Sequence, residues 1–208
     1  MWGTAGGIFL VCTANICRSV YGSAVLAGAL GNSGIPLASA GINTVDGSEA
    51  CPYVRRLVAD ANLPAPPQLA TGARELAVED LADAALVITF TVRQRGLVAR
   101  LAPSTRERLF TLREATALAT AISSRRLQPG GLQEWAGLLH ANRPSLGSLE
   151  PPREAPRWWQ FGRAPAVTAA PWDIPDAHSR PEATHLERLA VVAEYSQRLG
   201  TILAGGHG

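Results

Sequence analysis

Ile8-Phe9-Leu10-Val11-Cys12 is a continuous apolar run of five residues. A strand with one wet face would alternate apolar and polar side chains. A run without alternation fits a strand covered on both faces, as in parallel sheets flanked by helices. The run is too short for a membrane span or a signal-peptide core, and Met1 to Gly7 carries no positive charge. The chain must therefore supply helices for both sides of a sheet.

The remaining pattern supplies them. A polar turn, Thr13 to Cys17, leads into a helix from Arg18 to about Leu30, stopped by Gly31-Asn32-Ser33-Gly34. Leu37 to Ala40 reads as a second strand and Glu49 to about Asn62 as a helix. Leu63 to Leu69, with Pro64, Pro66 and Pro67, reads as a loop. A buried strand follows at Ala84 to Phe90, then a helix from about Val92 to Leu101 and a fourth strand at Arg108 to Leu112. A last helix runs from Glu182 to Leu203, with Leu186, Leu189, Ala190 and Ala193 as its expected apolar stripe. Alternating strands and helices predict an α/β fold, a small doubly wound parallel sheet of about four strands. With 208 residues the chain fits a single domain, 1–208.

The stretch at about 121–171 breaks this rhythm and reads as an ordered insertion or lid. It opens with a helix carrying Leu132, Trp135, Leu138 and Leu139, and then becomes proline-rich. Trp158, Trp159 and Trp172 lie in or beside it, too many aromatics for a disordered linker. Its arginines Arg143, Arg153, Arg157 and Arg163, interleaved with Glu150 and Glu154, read as a solvated surface.

Net charge is +2 and all 19 basic residues are arginine, which gives no signature of a nucleic-acid binder. Three cysteines cannot form a disulfide framework, and no cysteine or histidine spacing resembles a closed zinc site. Cys51 reads as packing on its helix. The expectation is a soluble protein in a reducing cytoplasm, with no membrane partner.

The chemistry lies in Cys12-Thr13-Ala14-Asn15-Ile16-Cys17-Arg18-Ser19. A cysteine six residues before an arginine arises by chance in about one chain of this composition in four. Here the cysteine ends a buried strand and the arginine opens a helix. Five residues between those elements can curl into a nest of inward backbone N–H groups at a helix N-terminus, which suits a phosphate dianion. Such a nest also favours thiolate over thiol. Arg18 can grip two phosphate oxygens with its planar fork, and Ser19 can donate its hydroxyl to the sulfur. Asn15 tolerates the left-handed backbone that the bend needs. The phosphate-binding set is thus Thr13, Ala14, Asn15, Ile16, Cys17, Arg18 and Ser19.

This segment resembles the signature Cys-x-Gly-Asn-x-Cys-Arg-Ser-Pro of the low-molecular-weight protein tyrosine phosphatases. Ser39-Ala40-Gly41, Ala73-Arg74, the strand at Ala82 to Ile88 and Asp173-Ile174-Pro175-Asp176 resemble further family segments, over roughly 7–120 and 172–204. The resemblance implies a cysteine-dependent phosphomonoesterase. Cys12 would be the nucleophile, passing through a phosphocysteine; Arg18 would bind phosphate, and Asp176 would be the general acid, with Asp173 as its rival. Cys17 would be a redox guard able to pair with Cys12, and Ser19 and Ser39 would support the loop. No metal and no cofactor is implied. The partner would be a phosphotyrosine protein or a small phosphomonoester; the oligomeric state is left open.

The sequence departs from the pattern at four places. Ala14 replaces a glycine and Val20 a proline. Thr71 stands where the family often has a loop-supporting histidine. Asp176 is followed by Ala177 and His178 rather than Pro and Tyr, so the usual tyrosine wall is absent. His178 reads either as a substrate contact or as a solvated loop residue. Other readings stay open: a metabolite phosphatase, an arsenate reductase (short of the relay cysteines that chemistry needs) and an inactive phosphate-binding regulator.

Overall fold

A computed structural model describes residues 6–125, 129–149 and 171–205. Its centre is a four-stranded, all-parallel sheet in the order β2-β1-β3-β4, formed by Ile8–Cys12 (β1), Leu37–Gly41 (β2), Leu86–Thr89 (β3) and Leu109–Thr111 (β4). β1 pairs with β2 from Ile8↔Leu37 to Cys12↔Gly41, and with β3 from Ile8↔Leu86 to Val11↔Thr89. Every residue of β1 is buried, as its unbroken apolar run requires.

The period-two pleat sorts β1 between two cores. Ile8, Leu10 and Cys12 join the larger cluster, with Arg18–Leu30 (α1), Leu112–Ser123 (α5), Leu132–Ala141 (α6) and Glu182–Ala204 (α7). Phe9 and Val11 face the smaller cluster with Leu81, Val87, Val98 and Leu109; Val98 lies on the helix Val92–Leu101 (α4). Between α1 and α4 come Pro52–Asp60 (α2) and the short Gln68–Thr71 (α3). The chain leaves β1 toward β2 on one side and reaches β3 on the other. This makes the carboxyl end of β1 the topological switch point, where open α/β sheets bind ligands.

Several expected boundaries shift for identifiable reasons. The second helix starts at Pro52, not Glu49, because proline fits only the first turn. The proline loop gives way to α3 at Gln68. The pattern reading missed α5, although Thr111 and Glu114 form a capping box: Thr111 Oγ1 accepts from the Glu114 amide (3.2 Å), and Glu114 Oε2 accepts from the Thr111 amide (2.8 Å). Helix α7 keeps only part of the expected stripe: Leu189 is buried and Ala193 packs against the larger cluster, but Leu186 is half-buried and Ala190 is exposed. Its buried residues are His185, Leu189, Val192, Tyr195, Ser196, Leu199, Gly200 and Leu203. Small and polar residues occupy this face because α7 approaches α1 closely: a Cβ on Gly200 would lie 2.5 Å from the Ala29 Cβ.

The segment 129–149 is integral to the core, since Leu132, Trp135 and Leu139 on α6 belong to the larger cluster. Arg143 is not a solvated charge. It donates to the Leu109 carbonyl (2.9 Å) and lies over the Phe110 ring, 4.2 Å from the centroid. Arg153, Arg157, Arg163, Glu150, Glu154, Trp158 and Trp159 lie outside the described residues. Among the described residues no helix is long and apolar enough to cross a membrane.

Two alanine substitutions separate helix propensity from packing. Gly200→Ala should lose about 1–3 kcal/mol in urea denaturation, the usual cost of overpacking. Gly137→Ala on α6, where a Cβ meets nothing within 4 Å, should gain about 0.5–1 kcal/mol.

Candidate active site

The loop from Cys12 to Arg18 crosses the carboxyl end of β1, and its carbonyls are engaged from outside. The Cys12 carbonyl accepts from the Ile42 amide (3.0 Å), that of Thr13 from the Asn43 amide (2.9 Å) and that of Ile16 from the Cys51 amide (2.9 Å). The Ala14 carbonyl accepts from Thr44 Oγ1 at 2.6 Å. In a trans peptide the C=O and the following N–H point opposite ways. Carbonyls drawn outward therefore turn the amides of Thr13, Ala14, Asn15 and Cys17 inward. The Asn15 amide indeed donates to Cys12 Sγ, at 3.2 Å.

Asn15 is fully buried with φ of 52°. Its side-chain amide donates to Ser19 Oγ and Ser39 Oγ, both at 2.9 Å, and its Oδ1 accepts from the Arg74 amide at 3.0 Å. Ser19 Oγ lies 3.0 Å from Cys12 Sγ, where its hydroxyl can donate to a thiolate. Ala14 keeps a negative φ, so replacement of glycine there brings no left-handed strain. Glycine is needed instead at Gly41, where a Cβ would lie 2.7 Å from the Thr13 carbonyl oxygen.

Sequence reasoning missed several supports. Gln68 Nε2 donates to the Ser39 carbonyl (3.1 Å) and so buttresses the loop, while Thr71 turns to its own helix. Gln94 Nε2 donates to Thr13 Oγ1 at 3.0 Å. A lone glutamine on a helix gives no sequence signal of such a role.

Arg18 is buried. It donates to the Ile174 carbonyl (3.2 Å) and pairs with Asp176 at 3.0 Å. The two candidate acids differ in position. Asp173 Oδ1 accepts from the Val92 amide at 2.7 Å, tying its loop to the start of α4. Asp176 is half-exposed beside Arg18, and its Oδ1 accepts from the His178 amide (3.1 Å). A cleft of about 410 Å³ opens here, lined by Thr13, Arg18, Ile42, Arg93, Leu97 and Asp176 among others; among the described residues no aromatic side chain lines it. Trp172 is half-buried and does not line it.

A family model described as low molecular weight phosphotyrosine protein phosphatase matches residues 7–123. The chain belongs to that family. It is a cysteine-based phosphatase of the hydrolase class. None of the curated proteins matches its sequence. Solved structures share the fold at low identity. The YwlE arginine phosphatase from Geobacillus stearothermophilus is 20% identical, with a TM-score of 0.58 over 95% of this chain and 90% of that one. Wzb from Vibrio vulnificus, in complex with benzylphosphonate, is 16% identical, with a TM-score of 0.60 over 94% and 97%. The tyrosine phosphatase Wzb from Escherichia coli K30, in complex with sulphate, is 14% identical, with a TM-score of 0.57 over 96% of each chain.

Cys17, expected as a guard for Cys12, lies among different neighbours. It caps the start of α1, and its Sγ meets His178 Nδ1 at 3.1 Å. Cys51, directly before α2, packs in the larger core cluster as expected, and its Sγ lies 3.8 Å from His185 Nε2. The Cys17 thiol donates to Cys51, which lowers the Cys51 pKa; the Val54 and Tyr53 amides add to this and burial opposes it. The same bond, followed by burial, raises that of Cys17. His178 is thus neither a cleft-lining residue nor merely solvated. All three cysteines are free and buried.

Asn15→Ala removes three buried hydrogen bonds and puts a Cβ-bearing residue with no compensating amide in the left-handed region. Unfolding should become easier by about 2–4 kcal/mol, and aryl phosphatase activity should fall at least tenfold, by about the cost of unmet buried partners. Asn15→Gly restores only the backbone freedom. Equal activity in Asn15→Gly and wild type would show that the amide network is dispensable.

Proposed function

We propose that this phosphatase hydrolyses phosphomonoesters, phosphotyrosine in proteins foremost, with Cys12 as nucleophile, Arg18 as phosphate ligand and Asp176 as general acid. The observation that supports the reading is one short loop that holds Cys12 Sγ beside the Asn15 amide and the Ser19 hydroxyl at its start and ends on Arg18, which pairs with Asp176. The loop residues Thr13, Ala14, Asn15, Ile16, Cys17 and Ser19 form the wall of the phosphate site. Free thiols fit a reducing cytoplasm.

The Cys12 thiolate attacks phosphorus in line. A P–S bond forms, the ester P–O bond breaks, and the leaving oxygen takes the Asp176 proton. Arg18 and the loop amides stabilise the equatorial oxygens, where transition-state charge accumulates. Water then attacks the phosphocysteine and gives its proton to Asp176. The P–S bond breaks, and the thiolate returns to the Ser19 hydroxyl. A second reading is a small phosphomonoester as substrate, favoured by the lack of an aromatic side chain among the described residues that line the cleft. Arsenate reduction and a catalytically inactive role are not favoured.

Cys12→Ser should abolish turnover while the fold survives, because an alcohol is a far poorer nucleophile at neutral pH. Retained activity would remove Cys12 from the mechanism. Arg18→Lys should also be severely impaired, since a point charge cannot reproduce the planar fork.

Asp176→Asn should lose on the order of 10²-fold or more on tyrosyl phosphate and much less on an activated aryl ester, whose leaving group needs no proton. Asp173→Asn should lower activity on both esters alike, because it loosens a loop tether. A leaving-group dependence at Asp173 instead would reverse the assignment. A panel of phosphotyrosine and phosphoarginine peptides against phosphorylated metabolites ranks the substrate classes.

A further inference from the structure

Beside the phosphate loop, outside the cleft, four side chains from four separate parts of the chain converge. Cys17 comes from the loop, Cys51 from the start of α2, His178 from the segment after Asp176 and His185 from the first turn of α7. Their ligand atoms, one from each, all lie within 4.8 Å of one another. Three of the four residues are buried, and His178 is exposed, which leaves an entry path.

We propose that Cys17, Cys51, His178 and His185 form a tetrahedral site for one zinc ion. In such a site, metal–sulfur bonds of about 2.3 Å and metal–nitrogen bonds of about 2.0–2.1 Å set neighbouring ligands about 3.3–3.8 Å apart. Cys51 Sγ to His185 Nε2, at 3.8 Å, falls within that spacing, and Cys17 Sγ to His178 Nδ1, at 3.1 Å, lies just below its lower end and must open slightly. The widest pair needs to close by only about 1 Å. Two thiolates and two neutral imidazoles are the soft, tetrahedral S2N2 set that selects zinc over harder cations. On binding, each cysteine loses its proton to solvent, and the two thiolates balance the charge of Zn²⁺, which makes the partly buried site electrically neutral. The Tyr53 ring stands edge-on to His185, 5.1 Å between centroids, and limits how that imidazole can turn.

The placement has a consequence for the acid loop. Cys17 precedes Arg18 directly, and His178 follows Asp176 by two residues. Zinc would therefore clamp the loop carrying the candidate acid onto the phosphate loop. It would also hold the Cys17 sulfur as a ligand and keep it from pairing with Cys12.

The test is metal uptake, read independently of turnover. Protein prepared without a polyhistidine tag should carry close to one zinc per chain after dialysis, by elemental analysis. The metal-free protein should take up Zn²⁺ in competition with a chromophoric chelator, and Co²⁺ in its place should give the intense visible bands of a tetrahedral thiolate site. His178→Ala, on an exposed loop where folding is not at risk, should bind on the order of 10²-fold more weakly, and Cys51→Ser should bind weaker still. Cys12→Ser should bind as the wild type does, so the site can stand even if the proposed mechanism fails. Equal affinity in wild type and His178→Ala, an octahedral cobalt spectrum, or loss of metal in Cys12→Ser would each overturn the assignment. So would a reduced wild type that takes up no zinc and reoxidises to a Cys17–Cys51 disulfide.

Discussion

The Asn15 side-chain amide is the hub on which the phosphate loop depends. A loop whose amides all point inward is electrostatically unfavourable without an anion, because parallel N–H dipoles repel one another. It holds its shape only if its carbonyls are bound from outside and its bend is pinned. Asn15 pins the bend: its φ of 52° sets the turn, and its amide joins Ser19 at the start of α1 to Ser39 on β2. Its oxygen takes the Arg74 amide, so three distant segments meet on one buried side chain. Replacing any of these bonds with water would require opening the core.

The second tether belongs to the acid loop. The Ile174 amide donates to the Phe90 carbonyl at 2.7 Å, and Asp173 accepts from Val92. Both anchors sit just past the end of β3, the strand beside β1, so the loop carrying Asp176 is hung from the same sheet edge as the nucleophile loop. Arg18 then reaches across to the Ile174 carbonyl and to Asp176. Cys12, Arg18 and Asp176, the proposed nucleophile, phosphate ligand and acid, are thus positioned by adjacent strand ends. A shift of one strand relative to the other would separate all three.

The cluster of Cys17, Cys51, His178 and His185 lies outside the cleft that Thr13, Arg18 and Asp176 line. The peptide at Ile16 faces it, because its carbonyl accepts from the Cys51 amide. One loop therefore presents amides to the phosphate site and a thiol to the cluster. Cys17, directly before α1, and Arg18, its first residue, thus meet different partners although they are neighbours in the chain.

Much of this was legible in the residues. The unbroken apolar run specified a strand covered on both faces, and the cysteine–arginine spacing marked the loop between that strand and α1. Helix α4 and strand β1 matched the periodicity residue for residue, because their local patterns agree with their final environments. Local pattern could not show which face of α7 is buried, since that face is chosen by close approach to α1 and carries Gly200, Ser196 and His185. Nor could it show that Gln68 supports the loop, that Asp173 is a tether while Asp176 meets Arg18, or that two cysteines and two histidines spread over residues 17 to 185 share one point. The sequence alone determined most of the elements and the residues of one contiguous loop, because those depend on neighbours within a few residues. The partners of every side chain that acts across the fold were decided by tertiary structure, because a contact between residues more than a hundred positions apart exists only once the sheet has set their distance.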